Sequence, residues 1–140
     1  MDHARLSAEL GIGKETRLLI GGDLRPPSGG GVIQSVDPTT GAVLAEIPAA
    51  STADVDDAVA AARHAFDATD WATNLGKRRK ILAKLAELTT AHADELAGVE
   101  TLDVGTLHTA SKGFGARAMV RNLEYYASWI DKIYGEVVPV

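Results

Sequence analysis

The 140-residue sequence contains no cysteine. Thiolate nucleophiles, disulfide staples, thiolate zinc sites and iron–sulfur clusters all require that side chain, so the chain by itself is excluded from each of these chemistries. Large aromatics are scarce as well: two Phe, three Tyr and two Trp, against 23 alanines in a composition that is 46% hydrophobic. A large buried side chain contributes about 1.5–3 kcal/mol and alanine far less, which predicts a core that is thin for the length. No apolar run approaches the ~20 residues needed to span a bilayer, and the start, Met1-Asp2-His3-Ala4-Arg5-Leu6, is too polar for a signal peptide. With no disulfide framework either, the expectation is a cytoplasmic protein with no membrane partner. Positive charge is also short, with 14 basic residues against 19 acidic ones and a net charge of -5. Phosphate backbones demand a dense basic surface, so nucleic acid is not expected as a partner. At this length one modest core, and hence one domain or part of one, is predicted.

Residues 1–16 show no sustained period and read as a mobile lead-in. Leu18-Leu19-Ile20 is a short apolar run closed by Gly21-Gly22, and Pro26-Pro27-Ser28-Gly29-Gly30-Gly31 is loop chemistry. Val32–Val36 and Val43–Ile47 read as two strands. Asp37-Pro38-Thr39-Thr40-Gly41 between them suits a hairpin loop built on a type I turn, with Asp initiating, Pro presetting φ and Gly free to take positive φ. Pro48 ends this β-structure. Ser51-Thr52-Ala53-Asp54 then opens a helix with a capping-box pattern, and Val55, Val59, Ala62 and Phe66 recur at helical spacing, giving a first helix over 54–67. A second helix is predicted over 77–98, with a stripe of Ile81, Leu85, Leu88, His92, Leu96 and Val99. A third is predicted over 116–134, apolar on two faces, one with Val120, Leu123, Ala127 and Ile130 and another with Tyr125, Trp129 and Ile133. Such a helix normally sits between two packing surfaces, and this chain offers it one evident partner. Gly135 stops the helix, and Glu136-Val137-Val138-Pro139-Val140 reads as a strand just begun, which leads us to expect further chain after it.

Several constellations carry possible chemistry. Gly113-Phe114-Gly115-Ala116-Arg117-Ala118 fits a relaxed dinucleotide fingerprint, but that fingerprint also needs a buried strand before it and an acidic residue about 20 positions on at a second strand end. Thr106–Lys112 is polar and Asp131 falls inside the predicted helix, so a glycine-containing helix start is the weightier reading. Gly11-Ile12-Gly13-Lys14-Glu15 has Glu where a phosphate loop needs Ser or Thr for magnesium. Lys77-Arg78-Arg79-Lys80 spreads around a whole helix turn and reads as a solvated helix start. His3, His64, His92 and His108 lack metal-ligand spacing, and His92 on the stripe is expected to be a partly buried packing residue. Glu100 and Asp103 share one face of a helix end. They could act as acid and base or hold a cation, or simply make caps and backbone hydrogen bonds. No catalytic site is visible in the residues themselves.

Taken in order, the segments resemble the amino-terminal portion of the NAD(P)-dependent aldehyde dehydrogenase superfamily. The resemblance runs through Leu18-Leu19-Ile20-Gly21-Gly22-Asp23-Leu24, where Gly21 stands for the family's usual Asn, then Ser35-Val36-Asp37-Pro38-Thr39-Thr40-Gly41 and Ala53-Asp54-Val55-Asp56-Asp57-Ala58-Val59-Ala60-Ala61-Ala62-Arg63. It continues through Trp71, Glu100-Thr101-Leu102-Asp103, Tyr125-Tyr126-Ala127-Ser128-Trp129-Ile130-Asp131-Lys132 and Gly135-Glu136. It covers Leu18–Val140, and each motif is weak alone while the ordered series is specific. It implies an α/β fold in which residues 17–140 form an amino-terminal β-hairpin region followed by three α-helices, an incomplete part of the NAD-binding domain. It implies oxidation of an aldehyde to a carboxylic acid with NAD or NADP, and family members form homodimers or homotetramers. The family's catalytic cysteine, glutamate base and oxyanion asparagine lie downstream of this segment, so no catalytic or cofactor-binding residue is assigned here, the segment is expected to be inactive alone, and it is expected to bind no cofactor tightly. The resemblance also implies a partial cation site at Ser35, Val36 and Asp103. The family commonly continues Asp-Asn-Gly-Lys-Pro, whereas Asp103 is followed by Val104-Gly105-Thr106-Leu107, which implies a differently shaped loop. Two other readings stand beside this one: a non-enzymatic helical module that packs on a full-length partner, and a small dinucleotide-binding protein built on Gly113 and Gly115.

Overall fold

Two antiparallel hairpins and a set of helices make up the structure, a computed structural model that describes residues 2–14, 17–29, 31–132 and 134–135. The first hairpin pairs β1 (Leu18–Ile20) with β2 (Asp23–Arg25). Its two-residue turn, Gly21-Gly22, has φ of 65° and 94°, the positive values that such a tight turn demands at both positions. The second pairs β3 (Val32–Val36) with β4 (Val43–Pro48), the two strands expected on either side of the Asp-Pro-Thr-Thr-Gly turn, with a register shift between Ser35 and Val36.

Helix α2 (Thr52–Ala68) begins at the predicted capping box: the Ser51 hydroxyl accepts from the Asp54 N–H, and the Asp54 carboxylate accepts from the Ser51 N–H. Asn74 caps α3 (Leu75–Ala91) by accepting from the Lys77 N–H. The helix predicted over 77–98 is in fact two, because the chain breaks at His92 and restarts as α4 (Ala93–Val104). Gly105, at φ 78°, closes α4 in the left-handed conformation that favours glycine. A single turn, α5 (His108–Ala110), runs through a π-helical turn (Ser111–Ala116) into α6 (Arg117–Trp129). The third helix therefore stops at Trp129, short of the predicted Tyr134. Ile133 and the strand expected over 136–140 lie outside the described residues. Within the segment read as a lead-in, Asp2 accepts from the Arg5 N–H and opens a further helix, α1 (His3–Leu10).

Small residues make the packing. Helices α3 and α6 lie against each other with Ala86 and Ala127 buried between neighbours, and α4 packs on α1 and on the π-helical turn. Leu102 is the largest fully buried apolar side chain. Gly98 leaves room for α1, since a Cβ there would lie 2.8 Å from Leu10 Cδ1. The thin core predicted from composition is what is found: Ile81, Leu85, Leu88, Leu96 and Val99, the stripe of the predicted second helix, are 40–45% exposed. Among the described residues no helix is long and apolar enough to cross a membrane.

Candidate functional site

The end of β3, the turn after it and the last turn of α4 meet, and this junction contains all three residues of the expected cation site. Ser35 sits on β3 just before the register shift and donates its hydroxyl to Asp103 Oδ1 at 2.7 Å, joining positions 68 residues apart. Val36 follows at the strand's end, 42% exposed. Asp103 is on the exposed side of α4, two residues before the Gly105 cap. Pro38, in the hairpin turn, closes over that cap so tightly that a Cβ on Gly105 would lie 2.9 Å from Pro38 Cγ.

Beneath the turn lies a residue that sequence reading did not single out as an anchor. Asp37 is 1% exposed and accepts from the Thr39 N–H at 2.8 Å, the Thr40 hydroxyl at 2.9 Å and His3 Nδ1 at 2.6 Å. Burial alone would raise its carboxyl, but the hydrogen bonds from Thr39, His3 and Thr40 outweigh it and hold the pKa at about 2, against an ordinary 3.8. The turn-initiating Asp was legible in the sequence; its link to a histidine 34 residues away carried no local signal.

Other candidates separate. Glu100 does not join Asp103: its Oε2 lies 3.0 Å from where a Cβ on Gly115 would stand, while Asp103 is engaged by Ser35. The two carboxylates thus have different neighbours, although they share a helix end. Gly113 and Gly115 fall inside the π-helical turn, preceded by the single turn α5 and not by a strand, so the strand–loop–helix context of a dinucleotide fingerprint is missing. In the basic run, Lys77 pairs with Asp70 at 2.5 Å and Arg79 with Asp131 at 2.5 Å, consistent with a solvated helix start. His92 is exposed rather than partly buried, because it occupies the break between α3 and α4, where its Nδ1 lies 2.9 Å from Glu95 Oε2. Among the described residues no group of three or more His, Cys, Asp or Glu is placed to hold a metal ion.

Residues 25–140 match the model of the aldehyde dehydrogenase family, and the chain belongs to that family. It is 40% identical over 129 residues to the NADP/NAD-dependent aldehyde dehydrogenase PuuC of Escherichia coli K12, an alignment covering 91% of this chain and 26% of that protein. Among solved structures it is similar to gamma-glutamyl-gamma-aminobutyraldehyde dehydrogenase from Burkholderia cenocepacia J2315, with a TM-score of 0.86, 39% identity, and coverage of 99% of this chain and 28% of that one. It is also similar to the NAD+ complex of the Bacillus cereus aldehyde dehydrogenase, with a TM-score of 0.86, 35% identity, and coverage of 95% and 27%. The chain thus spans about a quarter of the length of these bacterial relatives.

Proposed function

We propose that this chain is the amino-terminal part of the cofactor-binding domain of an NAD(P)-dependent aldehyde dehydrogenase, a cytoplasmic, homo-oligomeric enzyme that oxidises an aldehyde to a carboxylic acid. The observation that supports this most directly is the fit of 99% of the chain onto 28% of the Burkholderia dehydrogenase. Acyl-enzyme formation through a thiohemiacetal requires a thiolate, and these 140 residues contain no cysteine, so the nucleophile must come from outside them. The role of the segment in that reaction is structural: it places the β3–β4 turn against α4 and presents α3 and α6 to the rest of the domain. The junction also suits the partial cation site. One carboxylate, Asp103, beside the Ser35 hydroxyl and the strand-end backbone at Ser35 and Val36 forms a hard oxygen donor set of low charge. These residues would hold the cation as a structural tie between hairpin and helix, and remaining ligands would come from elsewhere.

The test has two arms. Incubated with NAD and an aldehyde, the 140-residue chain alone is expected to yield no reduced cofactor above blank. A full-length chimera, in which this chain replaces the matched segment of the E. coli relative, is expected to keep kcat/KM within about tenfold of the parent, a change of 1.4 kcal/mol or less in transition-state stabilisation. Cofactor reduction by the chain alone overturns its inertness, and a folded but inactive chimera overturns the placement of the segment.

A further inference from the structure

A charged groove between α6 and the α3–α4 junction stands apart from the residues just described. In the π-helical turn the i→i+5 repeat sets Lys112 over Arg117, and the i→i+4 repeat of α6 sets Arg117 over Arg121. All three line a concavity of about 460 Å³, together with the apolar side chains of Ala93, Ala116 and Val120. That volume is within the range of small-molecule sites. Gly113 forms part of its wall, and a Cβ there would meet no atom within 4 Å, so the glycine leaves open space.

In a chain of net charge -5, exposed cations commonly have carboxylate partners, as in Arg5–Glu9, Arg25–Asp57 and Arg63–Asp67. Lys112 is paired with Asp94 at 2.6 Å, whereas Arg117 and Arg121 have no ion-pair partner among the described residues. Like charges four residues apart on a helix are mutually destabilising, and the carboxylate that lines the groove, Glu124 three residues after Arg121, forms no ion pair with either among the described residues. An oxyanion between the two guanidinium groups would relieve them. Glu124 also lines the groove, one turn beyond Arg121, which sets the anionic end of any ligand toward Lys112 and Arg117 and leaves a carboxylate to accept from a hydroxyl at the other end.

We infer that this groove binds a small hydroxylated organic anion, its phosphate or carboxylate group held by Lys112, Arg117 and Arg121 and its body resting on Ala93, Ala116 and Val120. The site uses only residues of this segment, so it stands or falls separately from the proposed enzymatic role.

The experiment titrates the isotope-labelled 140-residue chain with glucose 6-phosphate, with citrate, and with glucose as the neutral control, at ionic strength held constant with sodium chloride. Saturable amide shifts centred on Gly113, Arg117 and Arg121 are expected with at least one of the two anions and not with glucose, and the responding anion tells phosphate from carboxylate. The double variant R117Q/R121Q weakens that binding at least about tenfold, because charge-assisted hydrogen bonds are lost. G113L fills the open space and does the same, while R63Q, far from the groove on α2, leaves it unchanged. Shifts that grow without saturating, an equal response to chloride, no response to either anion, or binding that survives R117Q/R121Q with its helical circular dichroism intact would each overturn the site.

Discussion

Helices α2 and α4 are both rich in alanine and aliphatic side chains, yet they are held in opposite ways. Helix α4 buries Ala97, Gly98, Thr101 and Leu102, whereas α2 buries Asp54 alone. Around α4 the chain closes on several sides: Leu6 and Leu10 of α1 over Gly98, Pro38 over Gly105, and Ser35 on Asp103. Helix α2 approaches the turn after β1, where Ala61 Cβ lies 3.6 Å from the position a Cβ would take on Gly21. Its stripe of Val55, Val59 and Phe66 remains 50–63% exposed. What locates it is polar: the Ser28 N–H donates to Asp54, and Arg25 pairs with Asp57 at 2.7 Å. An apolar face read from spacing is therefore a statement about what a helix can bury, and its neighbours decide whether it does.

The comparison breaks most severely at Leu102. Leu102 is a fully buried side chain, and its truncation in Leu102→Ala removes transfer energy and leaves a cavity, an expected loss of about 2–5 kcal/mol measured by chemical denaturation. A loss below about 1 kcal/mol would mean that α4 is no better enclosed than α2. Next in size is Gly105→Ala. A left-handed backbone in a non-glycine residue costs on the order of 1–3 kcal/mol, and the new methyl must also displace Pro38. Thermal unfolding checks it, and a Pro38→Ala background, which removes the clash and leaves the backbone strain, is expected to recover part of the loss.

On the side of α2 the effects are smaller and depend on pH. Ser51→Ala removes the cap and is expected to cost about 1 kcal/mol. Hydrogen bonds from the Ser51 N–H and hydroxyl and from the Ser28 N–H outweigh the opposing effect of burial and hold the Asp54 carboxyl at about 2. In the unfolded chain it returns to its ordinary value near 4. Between about pH 4 and pH 2 the unfolded chain therefore binds a proton at Asp54 that the folded chain does not, so the stability contributed by Asp54 falls as pH falls through that window and is constant above it. Denaturation across this range is expected to be less steep for Asp54→Asn than for the parent. Equal slopes would show that Asp54 is not the anchor of α2.

The parts of the fold that sequence reading reached are those whose signals are local. The β3–β4 hairpin announces itself through two short apolar-rich runs on either side of the turn residues Asp37-Pro38-Thr39-Thr40-Gly41, and α2 through Ser51 and Asp54. Signals that fail are short or continuous across a break. Strand β2 is the tripeptide Asp23-Leu24-Arg25, with no β-branched residue. Helix α1 offers only Leu6 and Leu10 as spaced large apolar residues. The stripe through Leu88, His92 and Leu96 keeps helical period straight through the break at His92, so periodicity extends one helix over two. The junction of Ser35 with Asp103 spans 68 residues and was reached through family resemblance, not spacing; the tie of His3 to Asp37 had neither signal.

The smallest expected effect is the sharpest test of the contrast. Val59 stands near the middle of the α2 stripe and is 63% exposed, so Val59→Thr, nearly isosteric and still β-branched, exchanges a methyl that is already in water. Substitutions at such positions lie within about 0.5 kcal/mol, and the chain alone should show no more than that. In the full-length chimera the same substitution places a hydroxyl wherever the rest of a dehydrogenase covers α2, and an unpaired buried hydroxyl costs about 1–3 kcal/mol. Thermal unfolding of Val59→Thr in both settings thus separates two accounts of the exposed stripe. A loss in the chimera alone means that the face is completed by chain outside these residues, and equal small effects in both mean that α2 is a surface helix, held at its polar end.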